Sequence, residues 1–237
     1  MDTKNTVLLF SGGLDSSTLL GMLLAEGHKV LCVSFRYGSL HQHAETNAAA
    51  RIAVFYKTVR KVFDISPSIF FGGKSALLGQ SEMPNAEYEK EGPSSTVVPF
   101  RNAIMLAQAV GTAESLGYNS VAIANHANDF SHWAYPDCSP EFMGAFTSAV
   151  YAGTLGKVRL IAPFQWMTKK AVVQKAFELQ VPVYLTWSCY EGNHIHCGKC
   201  PTCLERIAAF MDAGFIDPVM YKVAIKWPSN CVHFTED

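Results

Sequence analysis

No apolar stretch of the 237-residue sequence is long enough to cross a membrane as a helix. The opening Met1-Asp2-Thr3-Lys4-Asn5 has neither the basic nor the apolar part of a signal peptide. Charge is scarce: Asp, Glu, Lys and Arg make up 16% of residues and the formal net charge is −1. That balance argues against broad electrostatic capture of nucleic acid or of an anionic membrane. With no secretory signal, the seven cysteines do not read as a disulfide framework. A cytoplasmic location, no membrane contact and no direct nucleic-acid partner are therefore expected. What is present is a globular composition, 49% hydrophobic, suited to one large domain or to one domain with an appended module.

The most informative stretch is Phe10-Ser11-Gly12-Gly13-Leu14-Asp15-Ser16-Ser17. The apolar Val7-Leu8-Leu9-Phe10 reads as a buried strand, and the residues from Thr18 to Leu24 read as a helix. Glycines let a backbone approach a ligand closely, and a helix N-terminus favours an anion. The stretch is thus a candidate phosphate cradle. It lacks the lysine and spacing of G-x-x-x-x-G-K-[ST] and is not G-x-G-x-x-G. The plainer alternative is a tight strand-to-helix turn capped by Asp15 or Ser16.

Strands are expected near 29–35, 59–63, 120–124 and 158–162, and helices near 41–56, 101–116, 141–153, 168–179 and 204–213. Strand and helix alternate, so the expected fold is α/β: an open, mostly parallel sheet with helices on both faces. Residues 1–185 form that domain and 186–237 a small C-terminal helical module. A polar insertion at about 79–96 is expected to be a mobile lid or a surface loop. Ligands of such sheets sit beyond the carboxyl ends of the strands. The segments 11–17, 34–40 and 125–138 all follow strands and should share one cleft.

Three constellations carry chemistry. Cys189, Cys197, Cys200 and Cys203 lie within fifteen residues and suit a closed tetrahedral zinc site, structural because no coordination position stays open. An iron–sulfur cluster, or His194 or His196 in place of one cysteine, is the alternative. The loop from Asn125 to Glu141 gathers His126, Tyr135, Asp137 and Glu141 into a candidate pocket for a planar heterocycle, although Asp137 and Glu141 could simply favour a helix N-terminus. Arg101, Lys169 and Lys170 place cations at helix starts, against the dipole, and phosphate is the natural anion for them. Isolated Cys32 reads as core.

Ser11-Gly12-Gly13-Leu14-Asp15-Ser16 resembles the SGGxDS motif of the ATP-pyrophosphatase, or PP-loop, superfamily. Val98-Pro99-Phe100-Arg101-Asn102, Tyr135-Pro136-Asp137-Cys138 with Glu141-Phe142, Thr186-Trp187-Ser188-Cys189-Tyr190 and Cys197-Gly198-x-Cys200-Pro201-x-Cys203 are similar to the 7-cyano-7-deazaguanine synthase family. The resemblance covers nearly the whole chain. It implies that 7-carboxy-7-deazaguanine is adenylated by ATP and aminated by ammonia to the amide, and that a second adenylation gives the nitrile. It implies Phe10, Ser11, Gly12, Gly13, Leu14, Asp15, Ser16, Ser17 and Ser34 as nucleotide contacts, with Mg²⁺ bridging the phosphates. Asp15, Ser16, Arg101 and Lys169 take catalytic roles. Tyr37, His41, His126, Tyr135, Asp137 and Glu141 take the deazaguanine, and a homodimer is expected.

There are departures. Where the family commonly carries Asp-Tyr-Gly-Gln-[RK]-His, this chain has Arg36-Tyr37-Gly38-Ser39-Leu40-His41, and Phe100 replaces a usual glycine. These changes are expected near the nucleotide and the amine entrance. They raise a second reading, a paralogue that joins the activated deazaguanine to a protein amine. A tRNA-modifying PP-loop enzyme is a third, weakened by the low net charge. A nucleotide-binding module with a zinc knuckle is a fourth, and it would not need the Tyr135 pocket.

Overall fold

The computed structural model describes residues 4–84, 94–131, 134–192 and 194–234. The central portion of the expected insertion, 85–93, lies outside the described residues, as do 235–237.

The apolar run expected to be the first strand is β1 (Asn5–Leu9). It is followed by α1 (Leu14–Ala25), β2 (Lys29–Arg36), α2 (Gln42–Phe55) and β3 (Val59–Asp64). Then come α3 (Arg101–Leu116), β4 (Ser120–Ala122), a single-turn α4 (Ala127–Phe130), α5 (Pro140–Gly153), β5 (Arg159–Ile161) and α6 (Lys169–Glu178). The chain closes with α7 (Pro201–Ala213) and two short strands, β6 (Phe215–Ile216) and β7 (Val232–His233). The five main strands are all parallel, in the order β3-β2-β1-β4-β5.

Strand alternation sorts the core into two layers. Val7, Leu9, Leu31, Val33, Val121 and Leu160 point to one face and pack with Met105, Leu106 and Ala109 of α3 and Met143 and Val150 of α5. Leu8, Val30, Cys32 and Ala122 point to the other and pack with Leu19, Leu20 and Leu23 of α1, Ile52 of α2 and Val172 of α6. A third cluster joins Leu14 and Val173 to Phe210 and Phe234, so the C-terminal tail folds back onto α1, α6 and α7. Cys32 is fully buried in the core, and burial pushes its thiol up to about 12.

The local differences from expectation have identifiable causes. α1 begins at Leu14 with Gly13 as its cap residue, so neither Asp15 nor Ser16 caps it. Both sit in the first turn with their side chains available for the cleft. Gly12 has φ +81°, and a Cβ there would stand 2.4 Å from the Ala49 backbone nitrogen. This loop therefore needs glycine for both conformation and space. α7 starts at Pro201, three residues earlier than the apolar pattern indicates, because proline suits a first helical position. The stretch between β3 and α3 is partly structured: Phe70 and Leu77 are buried, and the Ala76 amide donates to the Ser95 carbonyl at 2.9 Å. Phe100, which precedes α3, holds the left-handed conformation that glycine favours, with φ +55°.

Candidate active site

The carboxyl ends of β1, β2 and β4 open onto a cavity of about 260 Å³. Of the expected residues, Phe10, Ser11, Gly13, Leu14, Asp15, Ser16, Ser34, Tyr37, His41, Arg101, Tyr135 and Lys169 line it. These come from five separate stretches of chain, which the parallel topology delivers to one edge of the sheet.

At its centre is Lys169. Thr168 caps α6 by accepting from the Ala171 amide at 3.3 Å, and Asn128 Oδ1 accepts from the Lys169 amide at 2.9 Å. The Lys169 ammonium donates to Asp15 Oδ2 at 2.6 Å and to His126 Nε2 at 3.1 Å, and lies 3.8 Å from Glu205. Burial works against the Lys169 charge, but Asp15, Glu205 and Asp129 outweigh it and hold its pKa above the ordinary lysine value. Burial likewise works against the Asp15 carboxylate, yet Lys169 and His126 bring its pKa below the usual carboxylate value. Lys170, next in sequence, is exposed.

Asp15 Oδ1 is buried and has no hydrogen-bond partner among the described residues. An anionic oxygen left so is a suitable ligand for a hard cation such as Mg²⁺. The serine loop is preorganised around it. Ser11 Oγ accepts from the Gly13 amide at 3.1 Å and lies 3.2 Å from Ser16 Oγ. The Trp187 amide donates to the Gly12 carbonyl at 3.0 Å, tying the loop to the cysteine segment.

Several expected contacts take other roles. Ser17 is buried and donates to the Gly13 carbonyl at 2.7 Å, so its hydroxyl holds the turn rather than a ligand. Gly12 packs against α2 instead of lining the cavity. Ser34 Oγ donates to the Phe10 carbonyl at 2.5 Å and accepts from Arg60 Nε at 2.8 Å. His126 is 1% exposed and reaches Lys169, not the open cavity. Asp137 accepts from the Asn102 amide at 2.9 Å and from Asn102 Nδ2 at 3.3 Å, pinning the start of α3. Glu141 is exposed in the first turn of α5 and does not line the cavity. Arg36, the last residue of β2, forks onto its β3 neighbour Asp64 with two 2.7 Å bonds on the surface and does not line the cavity.

The other end of the cavity is aromatic. Arg101 donates to the Tyr37 hydroxyl at 3.0 Å, and the Tyr135 hydroxyl meets Thr96 Oγ1 at 2.6 Å and the Tyr190 hydroxyl at 3.1 Å. Burial disfavours the Arg101 charge, but Tyr37, Asp137 and Tyr190 more than compensate and raise its pKa. Tyr190 and Glu205 also line the cavity, and sequence reasoning named neither as a site residue. Both belong to the C-terminal segment, and only the adjacency of Tyr190 to Cys189 pointed toward it.

The four expected cysteines converge. Their sulfurs lie within 4.8 Å of one another, all buried, with Cys197 and Cys203 sulfurs 3.9 Å apart. The amides of Lys199 and Cys200 each donate to Cys197 Sγ at 3.3 Å. Amide donors to sulfur stabilise thiolate, and four clustered sulfurs fit a tetrahedral zinc ion. His194 is exposed, and His196 stacks on Trp187 with a centroid separation of 4.3 Å while its Nε2 accepts from the Ser188 amide, so neither joins the four. Elemental analysis should find one zinc per chain. Chelation should lower the melting temperature by roughly 10 °C or more, whereas an unchanged melt would remove the cluster from the account of stability.

A parallel sheet whose first strand runs through Ser-Gly-Gly into a helix N-terminus, under a buried lysine, defines a nucleotide-binding α/β cleft of the PP-loop type. The model of the family described as "Queuosine biosynthesis protein QueC" matches residues 5–214, and the chain belongs to that family. A 7-cyano-7-deazaguanine synthase from Thermoplasma volcanium is 42% identical over 225 residues, covering 92% of this chain and 91% of the relative. One from Archaeoglobus fulgidus is also 42% identical, covering 93% of each. Among solved structures, NMN synthetase from Francisella tularensis aligns with a TM-score of 0.48 and 16% identity, covering 97% of this chain and 81% of that one.

Proposed function

We propose that this chain makes 7-cyano-7-deazaguanine from the 7-carboxy compound, ATP and ammonia, as the names of its relatives suggest. The observation that carries this reading is the Lys169–Asp15 pair, charged and buried beside the Ser11–Gly13–Ser16 turn. In this reading the loop amides and the serine hydroxyls take the pyrophosphate portion of ATP. The substrate carboxylate attacks the α-phosphorus, the bond to pyrophosphate breaks, and pyrophosphate leaves. Ammonia displaces AMP to give the amide. The amide oxygen is then adenylated in turn, and loss of AMP leaves the nitrile. Mg²⁺ held at Asp15 would neutralise phosphate charge. Lys169 and Arg101 stabilise the phosphoryl group in transfer, and Tyr135, Tyr37 and Tyr190 border the heterocycle. Asp137 acts as a positioning residue, through Asn102.

The protein-amine reading rested on the altered 36–41 stretch and on Phe100. Its most conspicuous change, Arg36, pairs with Asp64 on the surface, so ammonia is the better-supported acceptor. The test is incubation with 7-carboxy-7-deazaguanine, ATP, Mg²⁺ and ammonium. The expected result is the 7-cyano product with one AMP and one pyrophosphate for each adenylation. An amide or adenylate that accumulates favours the protein-amine reading, and unconsumed substrate contradicts both.

A further inference from the structure

His41 was expected only to touch the heterocycle. Its environment gives it chemistry of its own. The side chain is 3% exposed and lines the cavity. Its Nε2 faces the Glu45 carboxylate, one helical turn on, at 3.5 Å. Its Nδ1 is buried with no hydrogen-bond partner among the described residues. A carboxylate facing Nε2 favours the proton on that nitrogen and leaves the Nδ1 lone pair available. The Tyr190 ring lies 5.4 Å from the imidazole, and Gly192 passes so close to the backbone that a Cβ there would stand 2.8 Å from the His41 Cα. The remaining charged and titratable groups at this end are Tyr37 and Arg101, which bond each other, and Tyr135, whose hydroxyl meets Thr96 Oγ1 and the Tyr190 hydroxyl. Among these groups, His41 presents the free imidazole lone pair.

The proposed reaction needs such a group. At neutral pH ammonium, like a lysine amine, is protonated and carries no lone pair. We infer that His41, oriented by Glu45, is the general base that converts ammonium to the attacking ammonia at the acyl-adenylate. The inference rests on the function proposed above. One N–H bond of ammonium breaks and its proton goes to His41 Nδ1. The freed lone pair forms the C–N bond, the carbon–oxygen bond to the phosphate breaks with its electrons leaving on AMP, and the new nitrogen sheds one further proton to solvent. Glu45 is a positioning residue in this scheme.

The experiment compares wild type with His41→Asn and Glu45→Gln in two assays. The first is substrate-dependent exchange of labelled pyrophosphate into ATP, which reads adenylation and folding together. The second is amide formation from ammonium. Whatever His41→Asn costs in exchange, it should cost about 100-fold more in amide formation near neutral pH. Its rate should climb with pH as free ammonia rises, while wild type levels off. Hydroxylamine, unprotonated at neutral pH, should restore acyl transfer and give the hydroxamate. Glu45→Gln should show the same pattern more weakly. Equal loss of exchange and amination would make His41 a binding residue and overturn the inference. So would amination with an unchanged pH profile. Wild type that exchanges no pyrophosphate with this substrate would sink the proposed function itself, and this inference with it.

Discussion

Lys169→Met should reduce pyrophosphate release by at least about 1000-fold while leaving the chain folded. Loss of a single preorganised charge contact to a reacting centre costs about 100- to 1000-fold. Here the same change also frees Asp15, whose carboxylate Lys169 holds at 2.6 Å. Asp15 keeps a quarter of its side-chain surface exposed, so water can reach it and the fold should survive. Lys169→Arg should not rescue, because a planar fork cannot replace a compact ammonium set between Asp15, His126 and Glu205. Rapid-quench measurement of pyrophosphate release, with circular dichroism as the folding control, checks both variants.

The pair also sets a pH expectation. The folded-state pKa of Asp15 is lowered, so its contribution to stability is present above the unfolded value and lost as pH falls through the folded one. The pKa of Lys169 is raised, so its contribution is complete below the unfolded lysine value and lost as pH rises through the folded one. Between about pH 4 and 10 both stay charged. Adenylation should therefore be nearly flat across the neutral range, and a pH dependence confined to amination would belong to other groups.

Arg206→Met should give the largest loss of stability. Arg206 and Asp217 side chains are both 0% exposed and joined by bonds of 2.6 and 2.9 Å. The same guanidinium donates to Thr186 Oγ1 at 2.8 Å and to Ser188 Oγ at 3.1 Å, holding the strand of chain that leads into Cys189. Removing one partner of a buried pair leaves the other charge unsatisfied and costs about 3–5 kcal/mol. For a chain of this size that corresponds to a melting-temperature drop of roughly 10 °C. The double change Arg206→Met with Asp217→Asn should recover part of it, because no bare charge remains. Recovery should be incomplete, since Tyr221 also donates to Asp217 at 2.6 Å. Differential scanning calorimetry of Arg206→Met, Asp217→Asn and the double variant measures this, and additive losses would contradict the pairing.

The parts of this molecule legible in the sequence were those set by local pattern. The apolar run at 7–10 marked β1, and the helices expected near 101–116 and 168–179 fall on α3 and α6. The cysteines were legible because their spacing alone restricts what they can do. What local pattern could not reveal was long-range pairing. Nothing near Glu205 signals that it meets Lys169, and nothing near Arg206 signals Asp217. Asp137 illustrates the converse: its motif was visible, but whether its carboxylate meets a ligand or the Asn102 amide depends on where α3 docks. His126 was misplaced for the same reason, since its direction follows from the single turn of α4 that Asp129 closes by accepting from the His126 amide at 2.8 Å. The left-handed Phe100 was not legible either, since a non-glycine residue seldom holds a positive φ.

Oxygen tracing tests the central claim, transfer of AMP to the substrate carboxylate, most directly. The enzyme would be run with 7-carboxy-7-deazaguanine labelled with ¹⁸O in both carboxyl oxygens, and the AMP examined by mass spectrometry. If both adenylations occur as proposed, each AMP released carries one ¹⁸O in its phosphate and the nitrile retains none. AMP without label, or ADP as the nucleotide product, would contradict the account.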